Sequence, residues 1–215
     1  MPPRMLLLLV GLALLTALIQ INLLAIAFDK LGLSPHVAMT LVLGALFGSA
    51  INLPLVRITA EAPPEPPPPL PAWLQPLQLP FEGTTLIAVN LGGCIIPVGF
   101  SAYLMAHNPL PFIEVLSAIA IVTFVSYRLS RPIPRLGIAI PVLVAPVTAA
   151  LTALLINAEH AAPLAYISGT LGVLTGADLL RLGDIRKMGT PLASIGGAGT
   201  FDGIFITGIV AALLA

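Results

Sequence analysis

From Met5 to Phe28 the chain carries no charged residue. An apolar run of that length has to be covered on every side, and a lipid bilayer does so: about 20 helical residues cross a hydrocarbon core of about 30 Å. The run is too long for the apolar part of a secretion signal, which takes roughly 7–15 residues, and no small-residue cleavage site ends it. It reads as a retained first helix. The rest of the chain follows the same pattern. Of 215 residues, 58% are hydrophobic and 8% charged, against about 25% charged in a soluble domain. Mean hydropathy is +1.05. The expectation is an integral membrane protein.

Hydropathy marks seven spans, at 5–28, 36–56, 84–106, 112–127, 137–156, 162–180 and a last one ending at Ala215. The expected fold is all-α: a polytopic bundle of about seven transmembrane helices, with the last helices broken by Gly-rich segments. The fourth span is short and the fifth contains Pro141 and Pro146, so either is a candidate for a kinked or re-entrant segment. With the N-terminus inside and the C-terminus outside, Arg4, Arg57, Arg128, Arg131, Arg135, Arg181, Arg186 and Lys187 fall on the inner side. Lys30 alone falls outside, as the positive-inside rule requires. Residues 61–80 hold nine prolines, which preclude helix and favour an extended polyproline segment. The chain therefore divides into a two-helix hairpin (1–56), a Pro-rich cytoplasmic linker (57–83) and a five-helix core (84–215). The linker reads as a spacer, and its sequence names no partner.

A net charge of zero gives no reason to expect a nucleic-acid partner. Cys94 is the only cysteine, so no disulfide forms within the chain and no zinc site can draw two thiolates from it. His36, His107 and His160 lack metal-ligand spacing and read as interfacial. No metal and no cofactor is expected.

Charges inside a bilayer are costly and mark function. Most carboxylates sit in loops or at span edges. Glu114 reads as cap-like, and Asp184 as a loop carboxylate paired with Arg181, Arg186 or Lys187. Two remain. Asp178 closes "SGTLGVLTGADLL" inside the sixth span. Asp202 stands in "GGAGTFDG", where Gly196, Gly197 and Gly199 precede Thr200. A helix from Thr200 to Ala215 measures about 24 Å, so it starts near the inner side, at the level of Asp178. Two carboxylates at one depth can share a proton, activate water and protonate a leaving group. The expected catalytic pair is Asp178 and Asp202, with Gly196, Gly197, Gly199, Thr200 and Asn90 at the substrate. Asn90 lies in "VNLGGCIIPVGFS", a stretch whose Gly and Pro predict a broken helix. An alternative is a small-solute or ion transporter using the breaks near Asn90 and Gly197. A third reading is a non-catalytic scaffold. Asn52, Gln20 and Asn22 read as hydrogen-bonding glue between helices. Gly44, Gly48, Gly169, Gly172 and Gly176 read as close-packing positions.

"INLPL", "VNLGGCIIP", "RPIPRLGIAIP", "AYISGTLGVLTGADLL" and "PLASIGGAGTFDGIFITGI" together resemble an uncharacterised prokaryotic family of multispanning membrane proteins, a domain of unknown function. The resemblance implies a multi-pass protein of a prokaryotic inner or plasma membrane. The last two motifs also resemble the presenilin, signal-peptide-peptidase and prepilin-peptidase class. That class carries one Asp on one helix and a second in a Gly-x-Gly-Asp motif at the start of the next. Asp178 matches the first, and Gly197, Gly199 and Asp202 match the second, with Thr200 and Phe201 intervening. No Pro-Ala-Leu element follows. This resemblance implies an aspartyl intramembrane peptidase acting on a transmembrane polypeptide.

Overall fold

The computed structural model describes residues 20–59, 61, 83–133, 137–197 and 203–215. Its first described helix, α1 (Gln20–Lys30), closes at Gly32, whose φ of +72° lies in the left-handed region. The Gly32 N–H donates to the Asp29 carbonyl (2.9 Å) and the Leu33 N–H to that of Phe28 (3.0 Å). This pair of bonds satisfies the last carbonyls of a helix and draws together the residues on either side of the glycine. Those residues, Phe28 and Leu33, are both buried. Pro35 then opens α2 (Pro35–Gly48), in the first turn, where a missing N–H is harmless. The axis turns by 112° between the two helices.

The second predicted span stops being helical at Ser49. Beyond it runs β1 (Asn52–Thr59), and the third predicted span begins as β2 (Thr84–Asn90). The two strands pair antiparallel from Asn52 opposite Asn90 to Thr59 opposite Thr84, with a bulge between Pro54 and Val56. Proline is tolerated there because β1 is an edge strand and Pro54 has no N–H to place in a ladder. On the other side of β2 lies β5 (Leu192–Ile195), parallel to it. The sheet order is β1-β2-β5.

After β2 the chain makes a π-helical turn, Leu91–Ile95, and continues as α3 (Ile96–His107). Next come α4 (Phe112–Leu129) and a small hairpin of β3 (Arg131–Ile133) and β4 (Gly137–Ala139). They are followed by α5 (Val144–Ile156) and α6 (Ala161–Val173). A second π-helical turn, Leu174–Asp178, leads into a 3-10 helix, Leu179–Lys187, then β5 and finally α7 (Gly203–Leu214).

The expected all-α bundle of seven spans is therefore corrected. Among the described residues, α4 is the one helix long and apolar enough to cross a membrane. The pair α1 and α2 passes that test only if the bent pair is taken as one segment. Two β-sheets replace parts of the second, third and fifth predicted spans, and β5 lies just ahead of the last one. Window hydropathy adds up apolar residues without regard to their conformational preference. "NLPLVRIT" carries a proline, and both it and "TTLIAVN" are rich in the β-branched residues that suit a pleated surface. The fifth span divides at Pro141 into β4 and α5. Residues 5–19 of the first span, and all of the linker between 62 and 82, lie outside the described residues.

The core is built on α6. Every residue from Ala161 to Thr170 is buried, and a helix that is apolar all round belongs inside. It packs against α3, α4, α5 and α7. Glycines of α6 and of the turn after it let the neighbours in: a Cβ on Gly172 would lie 2.6 Å from that of Val122, and one on Gly176 would lie 2.4 Å from the Thr123 carbonyl oxygen. Gly44, Gly48 and Gly169 likewise face neighbouring elements.

Polar side chains gather at two ends. At one, Asn157 donates to the Glu114 carboxylate (2.8 Å) and Lys30 donates to the carbonyl of Leu213 (3.0 Å), in the last turn of α7. The other is cationic. Arg181 donates to the carbonyls of Tyr127 (2.7 Å) and Ser130 (2.9 Å) at the end of α4. Its guanidinium sits 4.4 Å from the centre of the Tyr127 ring and pairs with Asp184 at 3.2 Å, the pairing expected for that carboxylate.

Candidate functional site

Parallel strands β2 and β5 end side by side, and each is followed by a Gly-rich connection to a helix. The two connections nest together. Gly196 has φ +76°, and a Cβ there would lie 2.7 Å from both the Cβ of Cys94 and the carbonyl carbon of Gly93. A Cβ on Gly197 would lie 3.0 Å from the Asn90 side chain. On the opposite side a Cβ on Gly92 would sit 2.0 Å from the Ala45 carbonyl oxygen of α2. The stretch "VNLGGC" and the first four residues of "SIGGAG", both marked by the sequence as broken, are thus in direct contact.

Polar side chains hold this junction. Asn90 is 1% exposed. Its amide nitrogen donates to the Ser49 carbonyl (2.7 Å) and to Asn52 Oδ1 (3.0 Å), and its Oδ1 accepts the Gly93 N–H (2.8 Å). Asn52 Oδ1 also accepts the Ser194 hydroxyl. Four elements meet in one hydrogen-bonded cluster: the end of α2, the start of β1, the end of β2 and the end of β5. Asn52, expected as interhelical glue, joins strands instead. Ser194 was not singled out from the sequence, since a lone Ser in "PLASIGG" carries no pattern.

Asp178 reaches the same junction from the other side. It is the last residue of the π-helical turn after α6, half-buried, and its Oδ2 accepts the Gly196 N–H at 2.7 Å. The bond ties a carboxylate to the amide that opens the Gly-rich segment. α7 packs antiparallel on α6: a Cβ on Gly169 would meet Thr207 and Ala211, and one on Gly208 would meet Thr170 and Tyr166. That register brings Gly203 level with Val173–Thr175, about one helical turn short of Asp178.

The expected site residues divide accordingly. Asp178, Gly196, Gly197 and Asn90 converge on the junction. Gly199, Thr200 and Asp202 lie outside the described residues. Among those described, no three His, Cys, Asp or Glu side chains group as metal ligands.

A family profile matches residues 46–214, its description being "Protein of unknown function (DUF1614)". The chain belongs to this family. The DUF1614 region takes in both nested connections, Asp178 and Asp202, and leaves α1 and most of α2 outside it. No curated protein and no solved structure matches the chain.

Proposed function

We propose that this DUF1614 protein is a membrane-embedded aspartyl peptidase with Asp178 and Asp202 as its carboxylate pair. One observation carries the reading: the bond from the Gly196 N–H to Asp178 joins that carboxylate to the segment whose sequence runs on to Asp202. The α6–α7 register supports it, because Gly203, the sequence neighbour of Asp202, is level with the turn before Asp178. Lipid embedding is supported by the exterior, where Phe112 is 70% exposed, Phe124 65% and Leu155 87%. Soluble monomers rarely expose contiguous apolar patches beyond a few hundred Å².

In this reading the two carboxylates share one proton, because like charges at one site cannot both ionise readily. The ionised partner takes a proton from water as the water oxygen bonds to the scissile carbonyl carbon. The protonated partner donates to the carbonyl oxygen. The C–N bond then breaks and the amine leaves with a proton. Gly196 and Gly197 serve the packing: the space beside them is filled by Gly93, Cys94 and Asn90, and that close fit holds the Gly196 N–H on the Asp178 carboxylate.

The test uses the protein in lipid vesicles with single-span apolar polypeptides, and mass spectrometry to find products. Cleavage is expected from the wild type and from neither Asp178→Asn nor Asp202→Asn. An Asn at 178 keeps an oxygen to accept the Gly196 N–H, so lost cleavage reports chemistry and not folding. Cleavage that survives either substitution overturns the pair. A second reading, solute transport, is favoured by the meeting of two chain breaks at Asn90 and Gly197, an arrangement used by transporters. Uptake without proteolysis, stopped by Asp202→Asn, would select it.

A further inference from the structure

The 3-10 helix Leu179–Lys187 is the hub of the cationic end. Arg181 is consumed by Asp184 and the end of α4. The remaining cations around it are Arg128, Arg131, Arg186, Lys187 and Arg57, all exposed. Several contacts bring them to one end. The bonds from Arg181 to Tyr127 and Ser130 fix the end of α4, with Arg128 and Arg131 beside it. β3 touches the 3-10 helix. The Glu61 N–H donates to the Arg186 carbonyl at 2.7 Å, which draws the end of β1, with Arg57, to the same place. Among the described residues, Arg181–Asp184 is the one ion pair. Of the described carboxylates at this end, Asp184 is in that pair and Asp178 is bonded to Gly196. Glu61 is the other, with no salt bridge.

Five exposed cations with no ion pair among the described residues, beside the end of a helix about 27 Å long, stand where lipid headgroups would lie. We infer that this end binds the phosphate groups of anionic phospholipids. The inference rests on the membrane reading above. A basic cluster at the edge of a spanning helix attracts anionic headgroups by about fivefold in affinity per cation. Phosphatidylcholine carries a compensating positive charge and lacks that attraction.

The experiment measures binding of fluorescent phosphatidylglycerol and phosphatidylcholine to the full chain in neutral micelles. Saturable binding of phosphatidylglycerol well above that of phosphatidylcholine is expected, weakening as salt rises. Each of Arg57→Gln, Arg186→Gln and Lys187→Gln should lower the preference about fivefold, and Lys30→Gln at the opposite end should leave it intact. Equal binding of the two lipids overturns the inference, as does a preference that survives the triple Gln variant. Competition by glycerol phosphate at concentrations matching the lipid would assign the site to free phosphate and not to a membrane. A chain that stays monodisperse in water without detergent would overturn the membrane reading itself. A chain that needs detergent yet binds both lipids alike overturns the lipid inference alone.

Discussion

Asn90 offers two donors and an acceptor, and the junction uses all three. No aliphatic residue can replace it without leaving the Gly93 N–H and the Ser49 carbonyl unpaired in a dry site. Each group so stranded costs about 1–3 kcal/mol. Asn90→Ala is therefore expected to destabilise the fold by about 2–6 kcal/mol, read as a fall in the thermal unfolding midpoint in micelles. A midpoint equal to wild type would mean that the cluster is not what holds the two connections together. Glycines supply a sharper pair of tests. Gly92→Ala forces a Cβ to within 2.0 Å of a backbone oxygen, whereas a Cβ on Gly99 meets nothing within 4 Å. Gly92→Ala should abolish accumulation of folded protein. Gly99→Ala, in the middle of α3, should be neutral or stabilise by up to about 1 kcal/mol. Similar yields from both would contradict the packing at the α2 end. Polar and small residues made these positions visible in the sequence: an Asn and paired glycines in an apolar run stand out because a bilayer or core gives them no other reason to be there. What the sequence did not carry was their partners. Asn90 meets Ser194 through Asn52, and that link exists only because β5 returns beside β2.

Strand formation is the element that hydropathy hid. β1 and β2 are apolar enough to pass as helix, and their β-branched content and Pro54 are local signals that a long averaging window dilutes. The π-helical turn Leu174–Asp178 was equally silent, since nothing in "LTGAD" separates it from a continuing α-helix. The α1–α2 corner also rests on local signals that hydropathy passes over, Gly32 where a left-handed residue is needed and Pro35 where a helix starts. At the same scale, Arg181 fastens the 3-10 helix to the end of α4 through a planar fork, two carbonyls and an aromatic face. Lysine carries the charge but not the fork. Arg181→Lys is expected to loosen the end of α4, raising hydrogen exchange of the Leu129–Arg131 amides by at least about tenfold. Amides near Phe112 at the other end of that helix should be unchanged. A uniform rise along α4 would mean that the substitution weakens the whole bundle and that Arg181 is no local clamp.

At the scale of the whole molecule, the described residues form a cationic end, a largely uncharged apolar girth and a second polar end with Lys30, Glu114 and Glu159. Charge placement was legible because each charged residue in an apolar chain has few places to go. Crossing number was not, because several apolar segments spend half their length as strand or irregular turn. The arrangement still makes a definite claim about sidedness, carried by α4, which has Glu114 in its first turn and Arg128 in its last. If α4 crosses a bilayer, its two ends lie in different compartments, and so do the residues packed around them. Cys94 is the only native thiol, and Cys94→Ala keeps the Cβ that abuts Gly196, so a thiol-free background should fold. In that background Glu159→Cys and Lys187→Cys place single reporters at the two ends. A membrane-impermeant maleimide applied to intact cells should label one of them, and the other only after the membrane is opened. The positive-inside bias assigns the protected position to Lys187. Labelling of both from the same side would mean that α4 lies along or within one face of the membrane and does not cross it. The carboxylate of Asp178 and the cationic end would then share that face with Glu159, and the peptidase reading would lose the lipid-embedded substrate on which it depends.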